Sequence, residues 1–164
     1  MLVRPRGTRR FVRLRAVRLL PDGSEIDATR GVVRVVVATT GGATESALVS
    51  KGRAIVDQNT AARPTTTLKL SAPLACARTG KARAAARKRR GRRRRGLFTQ
   101  TDGGRFRTRG NHAAATASGT AWRTTDRCRS TRIDVREGVV KVRDLVRRRT
   151  VAVRAPRSYT ARRR

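Results

Sequence analysis

Short apolar runs alternate with polar residues along most of the chain. The clearest are two near copies of one phrase, Gly31-Val32-Val33-Arg34-Val35 and Gly138-Val139-Val140-Lys141-Val142. In each, alternate valines face one side and the basic residue faces the other. That is the period of a half-buried strand, and the leading glycine suits a tight turn into it. A return segment follows each copy, Ala47-Leu48-Val49 and Thr150-Val151-Ala152-Val153. Two similar hairpins, one per half, predict one β-rich domain built from paired units.

Weaker alternation marks further strands at 25–29, 45–49, 53–56, 65–70, 106–109, 113–117, 120–125, 131–136, 150–154 and 158–161. Turn signals punctuate them: Pro21-Asp22-Gly23, Thr39-Thr40-Gly41-Gly42, Lys51-Gly52, Gly110-Asn111, Ser118-Gly119 and Ala155-Pro156. Residues 2–20 alternate basic and apolar and fit either extended strands or an amphipathic helix. Many short strands at this spacing predict an all-β fold, a single β-sandwich or roll-like domain of short antiparallel strands.

The pattern breaks after Ser71. Residues 58–101 contain no Asp or Glu, and residues 78–95 hold eleven basic residues. Such a block repels itself and has little to bury, so it reads as a disordered Arg-rich insertion. The expected organisation is an N-terminal β half at 1–77, a basic linker at 78–96 and a C-terminal β half at 97–164, both halves forming one domain.

Charge adds a candidate function. Lys and Arg total 42 against 10 acids, a net charge of +32. That balance attracts polyanions such as nucleic acid, anionic lipid or cell-wall glycopolymer; a GC-rich genome would push composition the same way without any binding role. The candidate polyanion contacts are Arg87, Lys88, Arg89, Arg90, Arg92, Arg93, Arg94 and Arg95. Phe98 and Phe106 flank this run but no aromatic lies within it, so the expected binding is salt-dependent and blind to sequence.

Catalytic signals are missing. The one histidine, His112, sits beside Gly110-Asn111 and reads as a turn residue. No nucleophile elbow, phosphate loop, paired carboxylates or close Cys pair is present, so neither enzyme activity nor a cofactor or metal is expected. Cys76 and Cys128 fit one disulfide in an oxidising compartment, or two buried thiols in the cytoplasm. No window approaches 18 apolar residues, so no transmembrane helix is expected, and the start of this sequence reads as no signal peptide.

The order of short motifs resembles the FecR-like domain. In the C-terminal third these are Phe106-Arg107-Thr108-Arg109-Gly110, Ala113-Ala114-Ala115-Thr116, Gly119-Thr120-Ala121-Trp122, Glu137-Gly138-Val139-Val140-Lys141-Val142 and Val151-Ala152-Val153-Arg154-Ala155. The first half adds Pro21-Asp22-Gly23-Ser24-Glu25-Ile26-Asp27-Ala28-Thr29-Arg30-Gly31-Val32-Val33-Arg34. Pro156 stands where the family usually has a glycine, and Ala117-Ser118 where Val-Arg is usual. The chain is similar to FecR-like repeats of secreted or surface proteins in high-GC Gram-positive bacteria, which carry one cysteine on each side of a basic linker. The resemblance implies a non-enzymatic, extracytoplasmic β domain with a structural, binding or envelope-sensing role, as part of a longer protein. The competing expectation is a basic, nucleic-acid-associated cytoplasmic protein of ribosomal or nucleoid type. The state of the two thiols separates them.

Overall fold

The alternating stretches become strands in the computed structural model, which describes residues 1–15, 19–39, 41–76 and 93–163. Among the described residues there are fifteen strands and no helix: β1 (Leu2–Arg4), β2 (Val12–Arg13), β3 (Ser24–Asp27), β4 (Val32–Ala38), β5 (Thr44–Ser50), β6 (Arg53–Gln58), β7 (Thr66–Leu70), β8 (Arg94–Thr101), β9 (Phe106–Arg109), β10 (Ala113–Ala117), β11 (Ala121–Arg127), β12 (Ser130–Glu137), β13 (Val139–Asp144), β14 (Arg149–Arg154) and β15 (Ser158–Arg162). Of the two forms open to residues 2–20, the described part takes the extended one, with β1 pairing β2.

The strands make a nine-stranded sheet, in the order β14-β13-β10-β9-β7-β6-β3-β1-β2, and a six-stranded sheet, β15-β12-β11-β8-β5-β4. Neighbours run antiparallel with one exception: β7 and β9 are parallel, pairing Thr66 with Phe106 and Leu68 with Thr108. Parallel neighbours need a crossover. Here the chain leaves the nine-stranded sheet after β7, lays β8 into the other sheet and returns as β9. That excursion also joins the two halves of the sequence, through β7–β9 in one sheet and β5–β8 in the other.

β8 corrects the sequence reading. The basic linker was expected to run to residue 96, yet Arg94, Arg95 and Gly96 already pair with Arg127, Asp126 and Thr125 of β11. The ladder captures the end of the arginine run because β11 extends along the whole of β8 and supplies backbone partners to 94–96, while β5 pairs only with 98–101. Residues 78–92 of the expected disordered insertion lie outside the described residues.

The two repeated phrases open hairpins, as expected, and the hairpins lie in opposite sheets: β4–β5 in the six-stranded one, β13–β14 in the nine-stranded one. Both contribute to one core. Val140 and Val142 are fully buried and Val139 is 40% exposed; Val33 points inward while Val32 and Val36 are more than half exposed. The largest fully buried side chains are Trp122, Phe106, Ile26, Leu68, Leu70, Leu97 and Ile133. A hydroxyl bridge crosses between the sheets inside this core: Trp122 Nε1 donates to Thr108 Oγ1 at 2.8 Å, and Thr108 Oγ1 shares a hydrogen bond with Thr124 Oγ1. The bridge matters because a buried indole N–H or hydroxyl without a partner costs about 1–3 kcal/mol.

Candidate polyanion-binding face

Alternation along β11 and β12 decides what the six-stranded sheet shows to solvent. Trp122, Thr124 and Asp126 point inward, so Arg123, Thr125 and Arg127 point outward; on β12 Thr131, Ile133 and Val135 are inward and Ser130, Arg132, Asp134 and Arg136 outward. Arg94 of β8 and Arg162 of β15 share the outer side. Together Arg94, Arg123, Arg127, Arg132, Arg136 and Arg162 surround an open cleft of about 350 Å³, lined between them by Thr125, Ser130, Thr160 and Asp134. Asp134, the one carboxylate there, is held by Arg132 at 2.7 Å. Arg123 Nε is buried without a hydrogen-bond partner among the described residues.

The remaining acids are engaged elsewhere or stand apart, which leaves this face positive. Glu25 pairs with Arg4 and accepts from Ser71. Asp27 pairs with Arg53, and Glu45 accepts the Arg105 amide at 3.1 Å. Asp126 is fully buried under the sheet end and accepts from Arg95 Nη2 at 2.9 Å, the Asn111 amide at 3.0 Å and the Thr131 hydroxyl.

Asp144, at the end of β13, accepts from the Arg147 and Val146 amides at 2.8 and 2.9 Å, from Tyr159 Oη at 2.8 Å and from Arg147. Burial pushes the Asp144 carboxyl up, but these donors outweigh it and hold it below the ordinary carboxylate value. Asp27 shows the same balance: burial raises it, and the Thr29 bonds with Arg53 bring it lower. A carboxyl depressed by folding adds stability above its unfolded pKa of about 3.9, and that stability is lost as pH falls through the folded value. Asp144→Asn should therefore lower the melting temperature at pH 7 and show a shallower loss than wild type in melts taken between pH 5 and pH 2.

The expected basic contacts divide. Arg87, Lys88, Arg89, Arg90 and Arg92 lie outside the described residues. Arg93 is exposed at the bend before β8, and Arg94 opens the strand and lines the cleft. Arg95 is a correction: strand alternation turns it to the inner side, where it binds Asp126, the Ala72 carbonyl at 3.0 Å and Asn111 at 2.8 Å. A guanidinium committed to a buried carboxylate is a structural ion pair and no free contact for a polyanion. Sequence reasoning missed Arg123, Arg127, Arg132, Arg136 and Arg162. The signal was there, since Arg123-Thr124-Thr125-Asp126-Arg127 and Ser130-Thr131-Arg132 put a basic or hydroxyl group at every second position. Their convergence depends on strand register.

Cys76 and Cys128 form a disulfide with Cα atoms 5.4 Å apart, within the usual range. It ties the chain beyond β7 to the turn between β11 and β12, at the same end of the sheet as Arg94, Arg127 and Arg162. His112 is a bend residue, as read; its amide donates to Thr131 Oγ1 at 2.9 Å. Among the described residues no helix is long and apolar enough to cross a membrane. Comparison of the chain with protein-family models, with curated proteins and with solved structures finds no match.

Proposed function

We propose that the protein is a non-enzymatic β domain that holds polyanions on the outer face of its six-stranded sheet. The single observation that carries this reading is the ring of six arginines around one cleft that contains one carboxylate, itself already paired. Guanidinium groups bind phosphate and sulfate oxygens in a fork, and an array of them on a rigid sheet costs little ordering when a ligand arrives. The disulfide supports an oxidising, extracytoplasmic setting. The order of the glycine, Trp122 and cysteine motifs supports a FecR-like domain with a binding or envelope-sensing role.

One observation favours a second reading, binding of single-stranded nucleic acid. Phe98 stands directly across from Arg123 on the outer side of the sheet, half-buried, where a base could stack. A thiol form isolated from cells with both cysteines free would favour that reading.

The test is heparin binding as a function of salt. The variant Arg127→Ser/Arg136→Ser/Arg162→Ser should bind more weakly than wild type and with a log–log salt slope smaller by about two, three contacts each contributing about 0.7. The variant Lys141→Ser/Arg143→Ser/Arg154→Ser loses the same charge from the nine-stranded sheet and should keep a slope close to wild type. Equal losses in the two variants would mean that net charge, and no particular face, governs binding.

A further inference from the structure

Within this face one row stands out. Arg94 is the register partner of Arg127, Arg127 is also paired with Ser130, and Ser130 with Arg162. Four neighbouring strands thus present Arg, Arg, Ser and Arg in one line at the end of the sheet. Directly opposed like charges on neighbouring strands are destabilising. No carboxylate stands in the row, and none of its three arginines has an acid partner among the described residues. The site costs the fold something and provides no internal compensation.

Resting on the polyanion reading above, we infer that this row is a seat for a phosphate monoester: a terminal, doubly charged tetrahedral group set between Arg94 and Arg127, with Ser130 and Arg162 completing the row. The charge count selects the class. A sulfate ester or a phosphodiester carries one negative charge, whereas a phosphate monoester carries close to two at pH 7, with a second pKa of about 6. Two opposed guanidiniums and a third along the row gain most from the dianion, and their forks match its oxygens. The hydroxyl of Ser130 supplies a neutral donor between Arg127 and Arg162, where a further cation would only add repulsion.

The charged groups facing the row are Arg94 of β8, Arg123 and Arg127 of β11, Arg132, Asp134 and Arg136 of β12, and Arg162 of β15. Arg129 in the adjoining turn and Arg93 before β8 are also exposed beside it. The histidine beside this end is His112, whose Nε2 is 3.4 Å from the Cys128 carbonyl. A phosphate monoester gains its second charge as pH rises from 5 to 7.5, whereas a sulfate ester of the same shape keeps one charge throughout and is the control for any pH effect that does not come from the ligand.

The experiment follows melting temperature and calorimetric affinity of the intact disulfide-bonded chain with phenyl phosphate and with phenyl sulfate, at pH 5 and pH 7.5. Phenyl phosphate should bind about tenfold more tightly at pH 7.5 than at pH 5, following its second ionisation, and should raise the melting temperature. Phenyl sulfate should bind more weakly at pH 7.5 and gain nothing from raised pH. Arg127→Thr should abolish the phosphate response, and without ligand in low salt it should melt at or above the wild-type temperature because the opposed charges are gone. Ser130→Ala should weaken phosphate binding severalfold. Equal binding of the two esters, or a phosphate response that survives in Arg127→Thr, overturns the seat. If heparin still binds with its salt dependence in that case, the wider arginine face stands without it; if wild type binds neither heparin nor phenyl phosphate, the polyanion reading falls as well.

Discussion

Gly52→Ala should destabilise the fold by about 3 kcal/mol or more, enough to lower the melting temperature by roughly 10 °C for a chain of this size. A Cβ at position 52 would lie 1.9 Å from the Gly96 carbonyl oxygen and 2.9 Å from its carbon. Both are backbone atoms, so no side chain can rotate away. Gly52 is buried, and its own carbonyl accepts the Ala28 amide at 2.9 Å, which fixes the turn between β5 and β6 to the end of β3 and leaves it no room to move away from Gly96. The loss falls where β8 joins the two halves of the molecule. Gly41→Ala, with nothing within 4 Å, is the comparison: it should cost only the strain of its positive φ, about 1 kcal/mol. Thermal melts of the two variants side by side check the difference.

Asp126→Ala should cost about 3–5 kcal/mol, the usual penalty for breaking a buried ion pair from one side. The carboxylate is fully buried, and the Arg95 side chain that it holds is only 14% exposed. Its removal leaves that guanidinium, the Asn111 amide and the Thr131 hydroxyl without the acceptor they share. The bend at Gly110 is shaped around the same carboxylate, since a Cβ there would come within 2.2 Å of Asp126 Oδ1. Asp57→Ala, an exposed acid on β6, should change stability by no more than about 0.5 kcal/mol. Denaturant unfolding of both variants measures the contrast. Arg95→Ala should also be costly, which separates it from the exposed arginines with which the sequence grouped it.

Most strands were legible because one face of each is buried and the other wet. Val140 against Val139 and Val33 against Val32 show the rule at work. β8 was not legible, for a physical reason. Its inward positions begin with Arg95 and its outward ones include Gly96, so charge and a missing side chain erase the alternation that Leu97, Thr99 and Thr101 would otherwise display. The arginine run announced attraction to anions by composition alone. It could not show that Arg94 and Arg95, neighbours in sequence, face opposite sides of a sheet, the second committed to Asp126. The outward arginines of β11, β12 and β15 alternate with hydroxyls, yet their meeting at one cleft depends on register between distant strands. The contact of Gly52 with Gly96 is likewise tertiary: one glycine read as a turn residue, the other as the end of a linker.

The most direct measurement is an arginine footprint. The intact chain is treated with phenylglyoxal, with and without saturating heparin, and the modified positions are mapped by mass spectrometry. Heparin should protect Arg94, Arg127, Arg136 and Arg162 while leaving Arg143 and Arg154 of the other sheet as reactive as before. Protection spread evenly over both sheets, or confined to the run from Arg87 to Arg92, would contradict the assignment of binding to the outer face of the six-stranded sheet.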